Sequence, residues 1–179
     1  MTWTIDPSHS LVEFSVRHLA ISTVRGRFTS FTAFGETDAA GVPLSLAMEI
    51  DAASLSTNND QRDGHLRSAD FFEVEKYPLL TFHSTSVTGT KDALTILGDL
   101  TIRGVTKPVT LTGAVATPVK DPWGNPRTSI EVSGSLSRSG FGLTWNQALE
   151  LGGVVVSDEV KLHIEAEAIA QSAPVAQAA

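Results

Sequence analysis

The chain has 179 residues, 41% of them hydrophobic and 18% charged, which suits one globular domain with a sizeable core and excludes a disordered polymer. Thirteen Lys and Arg stand against twenty Asp and Glu, and the net charge of −7 weighs against nucleic acid as a main partner and against tight electrostatic docking on anionic lipid. Cysteine is absent, which excludes disulfides, thiolate metal sites and a cysteine nucleophile.

The chain opens Met1-Thr-Trp-Thr-Ile-Asp-Pro7, without a basic segment, a long apolar run or a small-residue cleavage site, and reads as the first strand of the fold. No stretch approaches the ~20 apolar residues of a membrane span. A cytoplasmic location is the expectation, although a mature exported form with its leader trimmed would read the same way. Period-two patterning follows almost everywhere. Val12, Phe14 and Val16 alternate with polar neighbours, as do Leu46, Met48 and Ile50. The pattern returns at Leu80, Phe82 and Ser84, and at Leu94, Ile96, Gly98, Leu100 and Ile102. It continues at Val109, Leu111, Gly113 and Val115, and at Val160, Leu162, Ile164, Ala166 and Ala168. Such alternation indicates antiparallel strands with one buried face. Turn signals lie at residues 35–43, 89–92, 104–108 and 121–126. Roughly eight strands at hairpin spacing predict an all-β fold, an up-and-down barrel or a sandwich.

Residues 51–72 break the pattern. Their polar capping residues predict one or two short helices inserted around residues 55–72 and covering a barrel end, with Ser68 as an N-cap. Residues 1–170 form a single domain, and residues 171–179 are a low-complexity tail.

The run Ile130-Glu-Val-Ser-Gly-Ser-Leu-Ser-Arg138 puts Ile130, Val132, Gly134, Leu136 and Arg138 on one face. A cation in that phase needs a partner. The candidates are an internal carboxylate or helix end, or the phosphate or carboxylate of a ligand; a bulge turning Arg138 outward is the third reading. In Phe141-Gly-Leu-Thr-Trp145 the bulky residues fall on the opposite phase, so a β-bulge is expected at Gly140 or Gly142, beside the pocket mouth. His18 shares the inward face of Phe14 and Val16, either as a core histidine bonded to backbone or as a donor to a ligand head. Arg62 and His65 lie three apart in the inserted segment and, with Arg67, tie it to the barrel or guard the mouth. Asp6 and His9 read as turn and cap chemistry. His9, His18, His65, His83 and His163 have no metal-ligand spacing, so no metal is expected. There is no Gly-rich phosphate loop, no Gly-x-Ser-x-Gly and no His-Glu-x-x-His. Small residues in inward phase (Gly98, Gly113, Gly134, Ser84, Ala166, Ala168) predict unfilled interior volume.

Six segments taken together are more specific. They are Ile5-Asp-Pro-Ser-His-Ser-Leu-Val-Glu-Phe-Ser-Val-Arg-His18, Val24-Arg-Gly-Arg-Phe28, Arg62-Asp-Gly-His-Leu-Arg-Ser-Ala-Asp-Phe-Phe72, Tyr77-Pro78, Gly98-Asp-Leu-Thr-Ile-Arg-Gly-Val-Thr-Lys-Pro-Val109 with Thr110 and Leu111, and Phe141-Gly-Leu-Thr-Trp-Asn146. In order and spacing they resemble the YceI-like family of polyisoprenoid-binding, lipocalin-like proteins over about residues 3–169. The resemblance implies an extended antiparallel lipocalin-like barrel of about eight strands, holding a long isoprenoid or other lipid-like chain, with no established catalysis and frequent homodimers. One departure is Gly140, where the family often has an acidic residue.

On this reading the ligand-lining set is Phe14, Val16, His18, Phe28, Met48, Ile50, His65, Phe82, Leu100, Leu136, Arg138, Phe141 and Trp145. The polar head lies near Arg138 and His18. The expected function is that of a non-catalytic carrier, with no cofactor beyond a bound polyisoprenoid or fatty-acid-like ligand. A lipid-modifying enzyme using His18 and Arg138, and a ligand-free stress-related barrel, are the alternatives.

Overall fold

Residues 1–148 and 153–171 are described by the computed structural model. Its segments, in chain order, are β1 (Thr2–Ile5), β2 (Leu11–His18), β3 (Ser22–Phe28), β4 (Phe31–Thr37), β5 (Pro43–Asp51), β6 (Leu55–Ser56), helix α1 (Asp60–Arg67), β7 (Leu79–Thr90), β8 (Ala93–Ile102), β9 (Val105–Val115), β10 (Val119–Lys120), β11 (Pro126–Ser137) and β12 (Val156–Ala170). In β8 the alternation of the sequence becomes an alternation of buried and exposed residues at almost every step.

Three pairs of segments are halves of single long strands. β1 and β2 lie along one edge of β12, interrupted by the short 3-10 turn Pro7–His9. β4 pairs with β1 and β5, whereas β3 pairs with β2 and β6. From β5 onward each long strand pairs with its successor, through β7, β8, β9 and β11 to β12. β12 closes the ring, with Ile130↔Ala166 on one edge and Val16↔Val160 and Trp3↔Ala170 on the other. The result is a closed eight-stranded antiparallel up-and-down barrel, with the short β6 and β10 each paired on one side.

One α-helix stands in the insertion. Its N-cap is Asn59, whose side chain accepts the Arg62 N–H, and Ser68 is the C-cap, with its hydroxyl donating to the His65 carbonyl. Several polar residues in the insertion qualify as caps, and the residue before Asp60 starts the helix. β11 ends at Ser137, and Arg138 takes helical angles (φ −65°, ψ −37°). The change of phase before Phe141 is therefore absorbed by the 3-10 turn Ser139–Phe141, which ends at Gly142 in the left-handed region (φ 79°), and not by a β-bulge.

The interior glycines also correct an expectation. A Cβ at Gly98 would strike the Phe82 ring, and one at Gly113 or Gly134 would strike the main chain of Glu131 or Thr110. The Ser84 hydroxyl accepts the Leu46 N–H. Of the six small inward residues only Ala166 lines the interior space. The hollow comes from the girth of eight strands, while the glycines let neighbours approach closely.

The end of the barrel opposite α1 is held by Arg127. Its guanidinium donates to Asp6 and Asp121, each at 3.0 Å, and to Glu167, joining the end of β1, the loop before β11, and β12. Burial pulls the Asp121 carboxyl upward, but hydrogen bonds from Asn125, Arg127 and the Trp123 N–H outweigh it and hold the pKa at about 2. Asp6 lies below the usual carboxylate range because His9 and Arg127 donate to it. Both folded pKa values are depressed below the ordinary 3.8, so their contribution to stability is present above that value and is lost as pH falls through it toward 2. The urea midpoint should accordingly drop between about pH 4 and pH 2, and Asp121→Asn should flatten that part of the profile while lowering stability at neutral pH. An unchanged acid limb in the variant would remove this cluster from the account.

Candidate functional site

The barrel encloses a cavity of about 750 Å³. Its walls are the inward faces of the strands: Phe14 and Val16 of β2, Phe28 of β3, Met48 and Ile50 of β5, Phe82 of β7, Leu100 of β8 and Leu136 of β11. Phe141 and Trp145, from the segment after β11, complete the wall near α1, and His18, His65 and Arg138 line the same end. All thirteen residues singled out from the sequence therefore border one space. Ile96, Leu111, Val132 and Ala166 line it as well. They belong to the same alternating runs, and period two alone does not rank one inward residue above the next.

Polarity is distributed unevenly. Apart from Glu13, the polar side chains of the lining (His18, Thr57, Asn59, Gln61, Arg62, His65 and Arg138) lie where β2 ends, α1 begins and β11 stops. The rest of the wall is aliphatic or aromatic. Such a vessel can hold an apolar chain along its length and offer polar groups to one end of it.

Arg138 is buried, at 6% exposure. Its partners among the described residues are four main-chain carbonyls: Ser157 at 2.9 Å from Nε, Leu143 at 2.6 Å and Trp145 at 2.8 Å from Nη1, and Val156 at 3.3 Å from Nη2. Neither a direct carboxylate partner nor a helix end is among them. Burial lowers its pKa from the ordinary arginine value, and the nearby Asp158 opposes that shift. Asp158 accepts from the Ser139 N–H at 2.9 Å and from the Ser137 hydroxyl, so a residue of β12 supplies the local negative charge that Gly140 does not. Four of the five guanidinium N–H groups are thus committed to binding residues 143–145 to the start of β12. Strand phase revealed the direction of Arg138, but main-chain acceptors carry no sequence signature.

Arg62 is more available. It donates to Thr57 through Nε (to Oγ1, 2.7 Å) and Nη2 (to the carbonyl, 2.9 Å). Thr57 in turn donates its N–H and hydroxyl to the buried Asp63 carboxylate. Nη1 has no partner among the described residues, and no described carboxylate lies within ion-pair distance of Arg62. Arg67 binds the Ala53 and Leu55 carbonyls and ties α1 to the barrel. His65 meets Asp70 at 2.8 Å and packs edge-on against Phe71 and Trp145, with centroids 5.1 and 4.8 Å away. It joins α1 to the segment that Arg138 holds. The His18 imidazole has no hydrogen-bond partner among the described residues, so the backbone bond expected of a core histidine is not seen.

The fold brings together two clusters that linear spacing hid. Asp6, His9 and Glu167 come together around Arg127, whose cation already occupies their carboxylates. Glu131, His163 and Glu165 meet on the outer wall of β11 and β12, away from the cavity.

Comparison with known proteins gives a consistent picture. A family profile described as the YceI-like domain matches residues 3–168. A UPF0312 protein of Staphylococcus aureus is 38% identical over 167 residues, covering 92% of this chain and 95% of its own. The crystal structure of a Campylobacter jejuni YceI protein superposes with a TM-score of 0.76 at 32% identity, covering 87% of this chain and 90% of that one. A polyisoprenoid-binding domain from Saccharophagus degradans has the same fold, with a TM-score of 0.69 at 16% identity, covering 94% and 98%.

The geometry of Arg138 makes a specific demand. Arg138→Met should cost about 3 kcal/mol, because several buried carbonyls lose their donor together. Arg138→Lys should recover only part of this, since one ammonium cannot reach carbonyls on both segments. Denaturant unfolding of the two variants checks this; full recovery by lysine would show that charge, and not the fork of donors, is what the site requires.

Proposed function

The chain belongs to the YceI-like family, and from that premise we propose that its barrel is a carrier that holds one long apolar chain of the polyisoprenoid class. The observation that carries the reading is the cavity itself, a space of about 750 Å³ with hydrocarbon walls and polar groups gathered at one end. Its size falls within the range of small-molecule sites, roughly 300–1,000 Å³. The ligand class is taken from the Saccharophagus degradans domain, which is named for polyisoprenoid binding.

Magnitudes favour the tail over the head. Burying a methylene contributes about 0.8 kcal/mol, so a five-carbon unit offers roughly 3–4 kcal/mol before ordering costs. One charge-assisted hydrogen bond nets roughly 1.5–3 kcal/mol. Several isoprene units therefore set the affinity, and the polar end sets direction. Arg62, with both Nη1 N–H groups unused among the described residues, and His18 are the groups placed to meet a head, while Arg138 holds the rim together around them.

Native mass spectrometry followed by organic extraction tests the proposal. Purified protein should carry a stoichiometric hydrocarbon lipid, and an interior that releases none, even after incubation with prenyl lipids, would end it. Ala166→Phe places a ring in the far part of the cavity and should shift the retained population to shorter chains. Arg62→Gln should reduce the preference for a prenyl phosphate over the matching prenyl alcohol about ten-fold, with total retention little changed. Equal loss of both ligands in Arg62→Gln would place the head elsewhere.

A further inference from the structure

The polar end of the cavity is bordered by a hairpin that the carrier reading leaves unexplained. β2 and β3 are joined at Leu19, Ala20 and Ile21, where Leu19 and Ala20 adopt left-handed backbone angles (φ 53° and 58°). The Leu19 N–H bonds the Val155 carbonyl at 2.8 Å, so the tip lies against the chain that enters β12. Ile21 is 79% exposed and Val154 49% exposed. The Arg17 guanidinium folds onto the tip, donating to the Thr23 hydroxyl and the Ala20 carbonyl, each at 2.9 Å. His18, Val24, Val155 and Val156, on the same two segments, line the cavity.

Arginine is concentrated along this hairpin, although the exposed Asp158 and Glu159 stand on the adjoining start of β12, where Ser157 accepts the Arg17 N–H. From residue 14 to residue 35 the chain has Arg17, His18, Arg25 and Arg27 and no Asp or Glu, although the whole molecule carries −7. All three arginines are exposed, and none has a described carboxylate within ion-pair distance. Arg27 lies opposite Glu13 in the sheet, so Arg17 and Arg25 are the cations available to a partner. Exposed aliphatic residues beside unneutralised arginines fit the boundary of an anionic bilayer, with hydrocarbon below and phosphate above.

We propose that the β2–β3 hairpin docks this protein on an anionic lipid bilayer, with Ile21 and Val154 in the interfacial region and Arg17 and Arg25 among the lipid phosphates, so that the cavity mouth opens onto the membrane. The purpose of the docking rests on the carrier reading; the docking itself rests on the hairpin. Each arginine held near an anionic surface strengthens binding about five-fold. The acidic remainder of the molecule weakens this attraction only within about 8–10 Å, the reach of an unscreened charge at physiological salt. The contact is therefore local and oriented.

The full chain is sedimented with vesicles of phosphatidylcholine, with and without phosphatidylglycerol, over a range of salt. Binding should require the anionic lipid and weaken as salt rises. Ile21→Asp and Arg25→Glu should each reduce it several-fold, with thermal midpoint and retained lipid unchanged, and should slow transfer of a fluorescent prenyl lipid from vesicle to protein. Absence of wild-type binding, or equal binding by both variants, overturns the proposal, including in favour of a protein partner at the same tip. Intact vesicle binding by a protein that retains no extractable lipid supports the docking and removes the carrier reading alone.

Discussion

The pairing of β12 along both of its edges is the constraint on which the rest of this molecule depends. Its fifteen residues run against β11 on one side and against β1 and β2 on the other, and they convert an open meander into a ring. In a ring most ladder groups find their partners in the wall, and only stretches such as the end of β7 and the start of β9 pair on one side alone. Nothing from the interior is needed to satisfy the backbone. A hollow centre is therefore compatible with a hydrogen-bonded shell, and its cost falls on side chains that border the cavity, such as Phe14, Met48 and Ile50.

The two ends of the ring are finished by different electrostatics, and an arginine is central to each. Arg127 sits at a partly exposed rim and takes three carboxylates. Arg138 is buried and takes four carbonyls. Placing a carboxylate beside Arg138 would require desolvating a second charge, and that penalty often cancels the attraction. Carbonyl dipoles that must be buried in any case disperse the cation without that penalty. The two ends also differ in their lining: the Arg127 end is cross-linked by three carboxylates, whereas His18, Arg62 and His65 line the cavity at the Arg138 end.

What could be read in advance follows from how each feature is encoded. Side-chain phase is written directly in strands with one buried face, which is why Leu94 to Ile102 and the inward direction of Arg138 were legible. β3 and β4 were less visible, because Gly26 gives β3 little inward side chain and the break before Phe31 interrupts the period. The interior glycines were misjudged because one dimension records a missing side chain but not what moves into its place, here the Phe82 ring and neighbouring main chain. Arg62 was placed in the inserted segment, but its spare donor depends on Thr57, five residues away, and on the path of the chain into α1. The clusters around Arg127 and His163 join residues from separate strands and exist only once the register is set.

The energetics of a long apolar tail bear on how such a vessel could be emptied. At roughly 3–4 kcal/mol for each five-carbon unit, a chain of several units leaves for water at a negligible rate. Loosening the rim contacts of His65 or Arg138 would not change that balance, because the penalty lies in exposing hydrocarbon and not in opening the frame. Exchange at a useful rate needs a second apolar phase within reach of the mouth, so that the tail passes from wall to acyl chain with little exposure. The exposed Ile21 and Val154 lie at the end of the barrel where that passage would begin, and their placement has a physical reason under a carrier that a solid-centred barrel would not supply.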